Sequence, residues 1–394
     1  MRNKKYYLPA LGIVNALGCG LEEVSQGLFS GDTSGLILEH DWLIEGAARV
    51  GRVKCDLPEI PAVLSKYSCH NNRLLLGALV QIESVVEAAI TKYGHNRVGV
   101  VLGTSTSGIA ESERTTDDAL KEEGQQAEHH YLFHEQGLPA IFLAEYLGLK
   151  GPAYSVSTAC TSSAKAFQSA RNLLQYNFCD VVLVGDVDSL CQTTVNGFSS
   201  LESISKDISN PMSRYRNGIN IGEGAALFLM TKEEANFALF GVGESSDAYH
   251  ISAPHPEGRG AEVAMRAALA DANKKATDIH YLNLHATATI KNDEMESRAV
   301  NRVFPNQVPC SGTKPLTGHT LGAAGATELA FSWIALQNNL LPAHVWDGEE
   351  DLSLPQLDLI STPHSFNRTT SRLCMSNSFA FGGSNVSLII GDNQ

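Results

Sequence analysis

The stretch from Ala153 to Leu174, AYSVSTACTSSAKAFQSARNLL, constrains this chain more than any other. Tyr154 and Val156 alternate with Ser155 and Ser157, the pattern of a strand built from β-branched and aromatic residues among small ones. An abrupt turn at Thr158-Ala159-Cys160 follows. Beyond it Ala166, Phe167, Ala170, Leu173 and Leu174 recur at helical spacing as one apolar stripe. Cys160 is thereby placed at a strand-to-helix corner, where first-turn N–H groups have no intrahelical partner and the helix dipole is positive. Such a corner favours a thiolate, and the small hydroxyl residues around it (Ser157, Thr158, Thr161, Ser162, Ser163) leave room for a reactant. A free cysteine is more often simply packed away, so the corner needs support from elsewhere in the chain.

The length of 394 residues allows two domains, or one large or internally duplicated one. A formal charge of −14 argues against a general nucleic-acid binder, though not against a local basic patch. The eight cysteines are scattered without a C-x-x-C pair, which reads as reduced thiols in the cytosol and not as a disulfide framework. No apolar run approaches the roughly 18 residues that span a bilayer. At the N-terminus Arg2, Lys4 and Lys5 precede an apolar stretch ending at Ala16-Leu17-Gly18-Cys19, superficially like a lipoprotein leader. Pro9, Gly12 and Asn15 interrupt that stretch, and Leu17 stands where a small residue belongs. The preferred reading is a strand within Tyr6–Ile13, with Pro9 at an end or edge, then a glycine-rich turn and a helix from near Glu22.

Strand-like and helix-like segments alternate along the chain, which predicts an α/β fold. Leu74–Ile90 has helical spacing. Arg97–Leu102 and Val181–Gly185 read as buried strands, the latter running into Asp186, Asp188 and a loop at Gly197-Phe198. Glu111–His130 is acidic and reads as a solvated helix and loop. In the second half Ala238–Glu244 is a strand, Ala261–Asn273 a helix, Ile279–Leu284 a strand entering His285, and Ala323–Leu336 a helix. Arg372–Asn377 and Asn385–Ile390 read as a closing hairpin. Residues 1–240 and 241–394 therefore form two halves with the same rhythm, each with a reactive residue at a small-residue corner (Cys160; His319).

Three further stretches carry chemistry. They are Asn283-Leu284-His285-Ala286-Thr287-Ala288-Thr289 followed by Asp293 and Glu296; Lys314-Pro315-Leu316-Thr317-Gly318-His319 followed by Thr320-Leu321-Gly322-Ala323-Ala324-Gly325; and Asn377-Ser378-Phe379-Ala380-Phe381-Gly382-Gly383-Ser384-Asn385. Each alone has a structural explanation: a packed histidine, a tight helix entry, a hairpin turn. Together with Cys160 they supply a thiol, two imidazoles, a lysine and a glycine-rich loop. That set suits thioester chemistry, in which cysteine takes an acyl group, imidazoles donate to an enolate oxygen and backbone N–H groups hold an oxyanion.

On these motifs the chain resembles the β-ketoacyl–acyl carrier protein synthases, the elongating condensing enzymes of the thiolase superfamily. The resemblance covers almost the whole length, from Leu11-Gly12-Ile13-Val14-Asn15-Ala16-Leu17-Gly18 to Gly391. It implies a duplicated five-layered αβαβα fold and a dimer. It also implies that Cys160 accepts the acyl group, that His285 and His319 bind the malonyl thioester and promote decarboxylation, and that Lys314 and Glu296 form a buried pair supporting them, beside a structural Asp293. Phe381 resembles the gating phenylalanine, its N–H forming an oxyanion hole with that of Cys160. Phe379 and Phe198 would line the acyl pocket. No metal and no bound cofactor is implied; a phosphopantetheine arm arrives on the acyl carrier protein.

Carrier proteins are acidic, so Lys66, Arg73 and Lys206 are expected in a basic docking patch, with Arg214 and Arg216 as weaker candidates. The partner subunit is either a second copy or a related, catalytically dead homologue, and neither nucleic acid nor membrane is expected. The chain departs from the family pattern at Ala286, Ala288 and Ala380, where glycine or serine is common, and at Ser213 and Asn217, where aspartate is usual. These departures favour a specialised polyene or polyketide-type pathway, an aryl-polyene synthase among them, over housekeeping fatty-acid synthesis. A thiolase would need a cysteine within the C-terminal glycine loop, where Phe379-Ala380-Phe381 stands instead. An initiating enzyme would carry asparagine in place of His319, and a chain-length partner would usually lack the nucleophile. A cysteine hydrolase leaves Lys314 and His319 unexplained.

Overall fold

The structure, a computed structural model, describes residues 5–121, 131–368 and 371–393. The apolar runs Val98–Gly103 and Val181–Asp188 are buried along their whole length and pair in parallel, as strands covered on both faces do. Ala153–Val156 flanks the first of them in parallel, while Gly224–Thr231 and Tyr6–Asn15 extend the sheet antiparallel beyond the second. The same plan recurs later in the chain. Tyr281–Asn283 lies parallel between Pro309–Ser311 and Leu373–Phe379, and Ser384–Asp392 and Phe237–Ser246 continue antiparallel. The two sets of strands meet edge to edge only where Tyr6 and Tyr7 face Leu239 and Ala238.

Helices sort into three layers around these strands. The helix after Cys160, Ser162–Gln175, and the central helix Ala324–Asn338 pack against Leu11, Val182 and Phe228 of one set and Tyr281, Cys374 and Leu388 of the other. The central helix is buried around its full circumference from Ala324 to Leu336, as a helix covered on every side must be. His70–Leu79 and Leu138–Tyr146 cover the outer face of the first set, and Arg259–Ala272 and Ile290–Val303 that of the second. The result is the five-layered αβαβα arrangement that the sequence led us to expect.

Several local expectations need correction. Pro9 lies inside the strand Tyr6–Asn15, not at its end or edge; a register shift between Tyr7 and Ala10 leaves it exposed, so its missing N–H breaks no ladder bond. The Leu74–Ile90 segment is two helices, His70–Leu79 and Glu83–Tyr93, bent by 77°. Gln81 sits at the bend because its amide bonds the N–H and carbonyl of Ile13. Gly197 and Phe198 belong to a helix, Gln192–Ser200, and not to a loop. A helix spans Ile109–Lys121, and 122–130 lie outside the described residues.

Cys19 and Cys55, expected as reduced thiols, are joined by a disulfide with 6.4 Å between their Cα atoms; the other six cysteines are free and buried. The chain turn at Gly18-Cys19 and the loop after Arg52 come together only in the fold, so spacing gave no hint of the pair. Among the described residues no single helix is long and apolar enough to cross a membrane.

Gly103 ends its strand directly against the helix Ser162–Gln175: a methyl there would lie 2.2 Å from the Ser163 nitrogen and 2.3 Å from its Cα. Both are backbone atoms that cannot give way. Gly103→Ala is expected to cost at least about 3 kcal/mol and to lower Tm by several degrees in thermal unfolding. Gly197→Ala, with nothing within 4 Å of the added carbon and a helical backbone, is expected to be neutral or stabilising by about 0.5–1 kcal/mol.

Candidate active site

The turn before the helix Ser162–Gln175 is bent sharply. Ala159 has φ 52°, a left-handed conformation uncommon for a residue with a side chain. Ser162 closes the turn, donating to the Ala159 carbonyl at 2.5 Å and accepting the Thr158 N–H at 2.9 Å. This aims the Cys160 sulfur inward, towards His319, whose Nε2 lies 3.0 Å from Sγ. The His319 backbone is pinned in turn, its N–H donating to Asn220 O at 2.6 Å and its carbonyl accepting from Gly222 at 3.0 Å. The His285 ring stands perpendicular to that of His319 with centroids 5.4 Å apart. Residues from three remote segments thus enclose one buried point.

Lys314 lies behind the histidines. Its ammonium approaches His285 Nδ1 at 3.3 Å and donates to the His285 carbonyl and to Glu328. Glu328, not Glu296, is therefore the ionic partner of Lys314. Glu296 instead accepts the N–H groups of His285 and Ala286, each at 2.7 Å, and fixes the backbone of the histidine loop. Spacing could not separate these two carboxylates. The overlooked signal was a single glutamate inside the apolar run Ala323–Leu336. Asp293 takes the structural role expected of it, accepting from Met212 N at 2.8 Å and Ala288 N at 3.2 Å.

Burial dominates the electrostatics. It holds both His285 and His319 well below the ordinary imidazole range, helped by the positive charge of Lys314. Both rings are therefore neutral at neutral pH and able to donate from Nε2. Burial also pushes the Cys160 thiol up to about 11, against the pull of Lys314 and of the N–H groups of Phe381 and Cys160, which face the sulfur. The free site holds a thiol and not the thiolate expected from the helix corner, because the desolvation cost outweighs these favourable contacts. Glu296 and Glu328 are pushed up to about 7 by the same burial.

Cys160, His285 and His319 each present a possible metal-ligand atom within 4.8 Å of the others. The outer nitrogens do not suit a metal, however. His285 Nδ1 meets an ammonium and His319 Nδ1 has no partner among the described residues, whereas a metal-bound imidazole hands that proton to an acceptor. The donor set serves hydrogen bonding.

A cavity of about 260 Å³ opens from this point, lined by Phe198, Phe379 and Phe381, with Thr287, Thr289 and Asn217 on its polar side. Phe198 and Phe381 face each other with ring centroids 5.4 Å apart, and Phe379 lies 6.0 Å from the His285 ring. All three expected phenylalanines thus meet at the site. The expected docking cations fare less uniformly. Lys66 is paired with Glu145 at 3.3 Å and Arg73 with Glu59 at 2.8 Å, while Lys206 is exposed with no ion-pair partner among the described residues. Arg214 pairs with Glu349, and Arg216 is buried between Asp351 and Glu294, which removes it from any docking surface. Lys291, overlooked in the sequence, lines the cavity and is exposed.

Residues 72–235 match the N-terminal domain of β-ketoacyl synthase and residues 237–346 its C-terminal domain. This chain belongs to the β-ketoacyl synthase family. Among its relatives are nodulation protein E of Rhizobium leguminosarum bv. trifolii, 33% identical over 80% of each chain, and 3-oxoacyl-[acyl-carrier-protein] synthase 2 of Vibrio harveyi, 28% identical over 99% of each. Among solved structures, the ketosynthase ApeO, in complex with its chain length factor ApeC, from Xenorhabdus doucetiae is 43% identical. It superposes with TM-score 0.95 over 99% of this chain and 98% of that one. The synthase is a condensing enzyme of the acyltransferase class with the thiolase-like fold. The thiolase alternative finds no second cysteine at the site, since Cys374 is buried on the strand Leu373–Phe379 and not in the glycine loop.

Two outcomes follow from this geometry. Alkylation of Cys160 by iodoacetamide should speed up close to tenfold per pH unit from pH 7 to 10, as expected for a thiol near 11; a plateau below pH 8 would contradict it. Glu328→Ala, which leaves Lys314 buried and unpaired, should cost about 3–5 kcal/mol in urea unfolding, and Lys314→Met/Glu328→Leu should recover most of that without restoring activity.

Proposed function

We propose that the synthase loads an acyl group from the phosphopantetheine arm of an acyl carrier protein onto Cys160 and extends it by two carbons from malonyl-carrier protein. In the first half-reaction the sulfur attacks the thioester carbonyl while the N–H groups of Phe381 and Cys160 receive the oxyanion. The cysteine proton leaves with the carrier thiol. In the second, the malonyl carboxylate departs as CO2, and the resulting enolate forms the new carbon–carbon bond to the acyl-cysteine; collapse breaks the carbon–sulfur bond and expels the Cys160 thiolate, which takes a proton from solvent. His285 and His319, neutral and donating from Nε2, stabilise the enolate oxygen, a contribution of about 3–4 kcal/mol per well-placed donor. Lys314 holds His285 in the tautomer that donates towards the cavity. The observation that carries this assignment is the meeting of Cys160 Sγ, His319 Nε2 and the His285 ring at one buried point beside the aromatic cavity.

The pathway is a specialised polyene type, with an aryl-polyene synthase as the specific reading. Likeness to ApeO along the whole chain supports it, as do the alanines at 286, 288 and 380. A related chain-length subunit is the favoured partner, since ApeO stands in complex with its chain length factor. We place the reaction in the cytoplasm, where the free, buried Cys160 stays a thiol and the Cys19–Cys55 disulfide is the exception among the eight cysteines. Lys206 remains the exposed cation for steering an acidic carrier.

Purified with its neighbouring partner subunit and carrier protein, the enzyme should convert malonyl-carrier and an unsaturated acyl-carrier into a β-ketoacyl product. Mass spectrometry should find the acyl intermediate on Cys160, and cerulenin should label the same residue. His285→Ala should still accept the acyl group but lose decarboxylation by about 10²–10³-fold. Loss of acylation with retained decarboxylation would reverse the assigned roles.

A further inference from the structure

Ala286 and Ala288 hold φ values of 39° and 63°, a left-handed conformation that costs a side-chain-bearing residue about 1–2 kcal/mol. Both methyls are fully buried, and the conformation is imposed from outside. Glu296 takes the N–H of Ala286, Asp293 takes that of Ala288, and the Ala288 carbonyl accepts the Gly218 N–H at 3.0 Å. The Ala286 methyl has a specific counterpart. Gly312, two residues before Lys314, has backbone angles open to any residue, yet a methyl there would lie 2.4 Å from the Ala286 Cβ. Gly312 cannot move aside, because its N–H donates to His344 Nδ1 at 2.9 Å. The far nitrogen of His344 bonds Pro211 O at 3.0 Å, and its ring wall would stand 3.5 Å from the same added carbon.

We infer that Ala286 and Gly312 are a reciprocal pair of positioning residues: one methyl, carried on the histidine loop and seated in the space left by the glycine, sets the spacing between His285 and Lys314 and with it the decarboxylation half-reaction. The inference rests on the catalytic roles proposed above for His285 and Lys314. The two residues flank the pair directly, Ala286 following His285 and Gly312 leading by two residues into Lys314. A second methyl at the contact must force these segments apart by more than half an ångström, and displacement on that scale at reacting groups costs on the order of 10-fold to 100-fold in rate. Cys160 and the N–H groups that face its sulfur, those of Phe381 and Cys160, belong to neither segment, so acylation feels the shift only at second hand, through the charge of Lys314 and the ring of His319.

The test is a double-mutant cycle on the enzyme with its partner subunit, read as malonyl-carrier decarboxylation and as acylation of Cys160, each by mass spectrometry. Gly312→Ala is expected to lower decarboxylation at least 10-fold while acylation stays within about twofold. Ala286→Gly/Gly312→Ala, which moves the single methyl across the contact, should restore decarboxylation to within about threefold of the unmodified enzyme. Equal loss of both half-reactions, or no rescue in the double variant, would overturn the pairing. Should Gly312→Ala not fold, recovery of folded, decarboxylating protein in the double variant supports the pair, and failure of both variants overturns it. His285→Ala in the otherwise unmodified chain separates the two levels: if it fails to split the half-reactions, the catalytic assignment falls, whereas a clean split with an inert Gly312→Ala removes the pair alone.

Discussion

A buried ammonium with one carboxylate partner organises this site. Lys314 lies in the dry centre between the two halves, its charge balanced by Glu328 from the central helix. Breaking such a pair is costly because a lone charge in that environment has no solvent to turn to. The same ammonium faces His285 Nδ1, which fixes the ring's tautomer, and it lowers the proton affinity of both histidines and of Cys160. One charge thereby biases three groups in the same direction, while burial is the larger cause at each. The thiol remains protonated all the same, because burial outweighs the ammonium.

Carboxylates buried elsewhere carry the alignment. Asp188 gathers Thr104, Ser105 N and Thr106 on one oxygen and accepts Ala323 N with the other. Asp186 likewise reaches from its strand to the N–H groups of Ala226 and Thr327. These two tie the start of the central helix, just after His319, to strand ends beside the Cys160 corner. Glu296 and Asp293 do the same for the His285 loop. The 3.0 Å approach of His319 to Cys160, across 159 positions of sequence, is the product of these ties. A polar group buried without partners costs about 1–3 kcal/mol, so each carboxylate also penalises any register that leaves it unmet.

The mouth of the cavity differs from its floor. The floor is aromatic and built, with Phe198 against Phe381 and Phe379 against His285. Cations nearer the surface are mostly spoken for: Lys66, Arg73 and Arg214 have acidic neighbours, and Arg216 is internal. Exposed ion pairs contribute little to stability, so Lys66 and Arg73 are held less firmly than the buried Arg216.

The residues that meet at the site were legible in the chain because chemistry restricts residue type: a thiol at a strand-to-helix corner, two histidines after small-residue turns, a lysine five positions before one of them. The α/β class was legible too, since apolar period and run length record which faces are covered, whereas the five layers came only as what the family resemblance implies. Tertiary structure alone decided that Glu328 and not Glu296 meets Lys314, that Cys19 reaches Cys55, that Pro9 sits in a bulge, and that the Cys160 thiol is held near 11. Each of those depends on distance and desolvation between segments far apart in sequence. A residue's identity says which interactions it can make, and only the packed fold says which partner is near enough, and dry enough, to make one of them count.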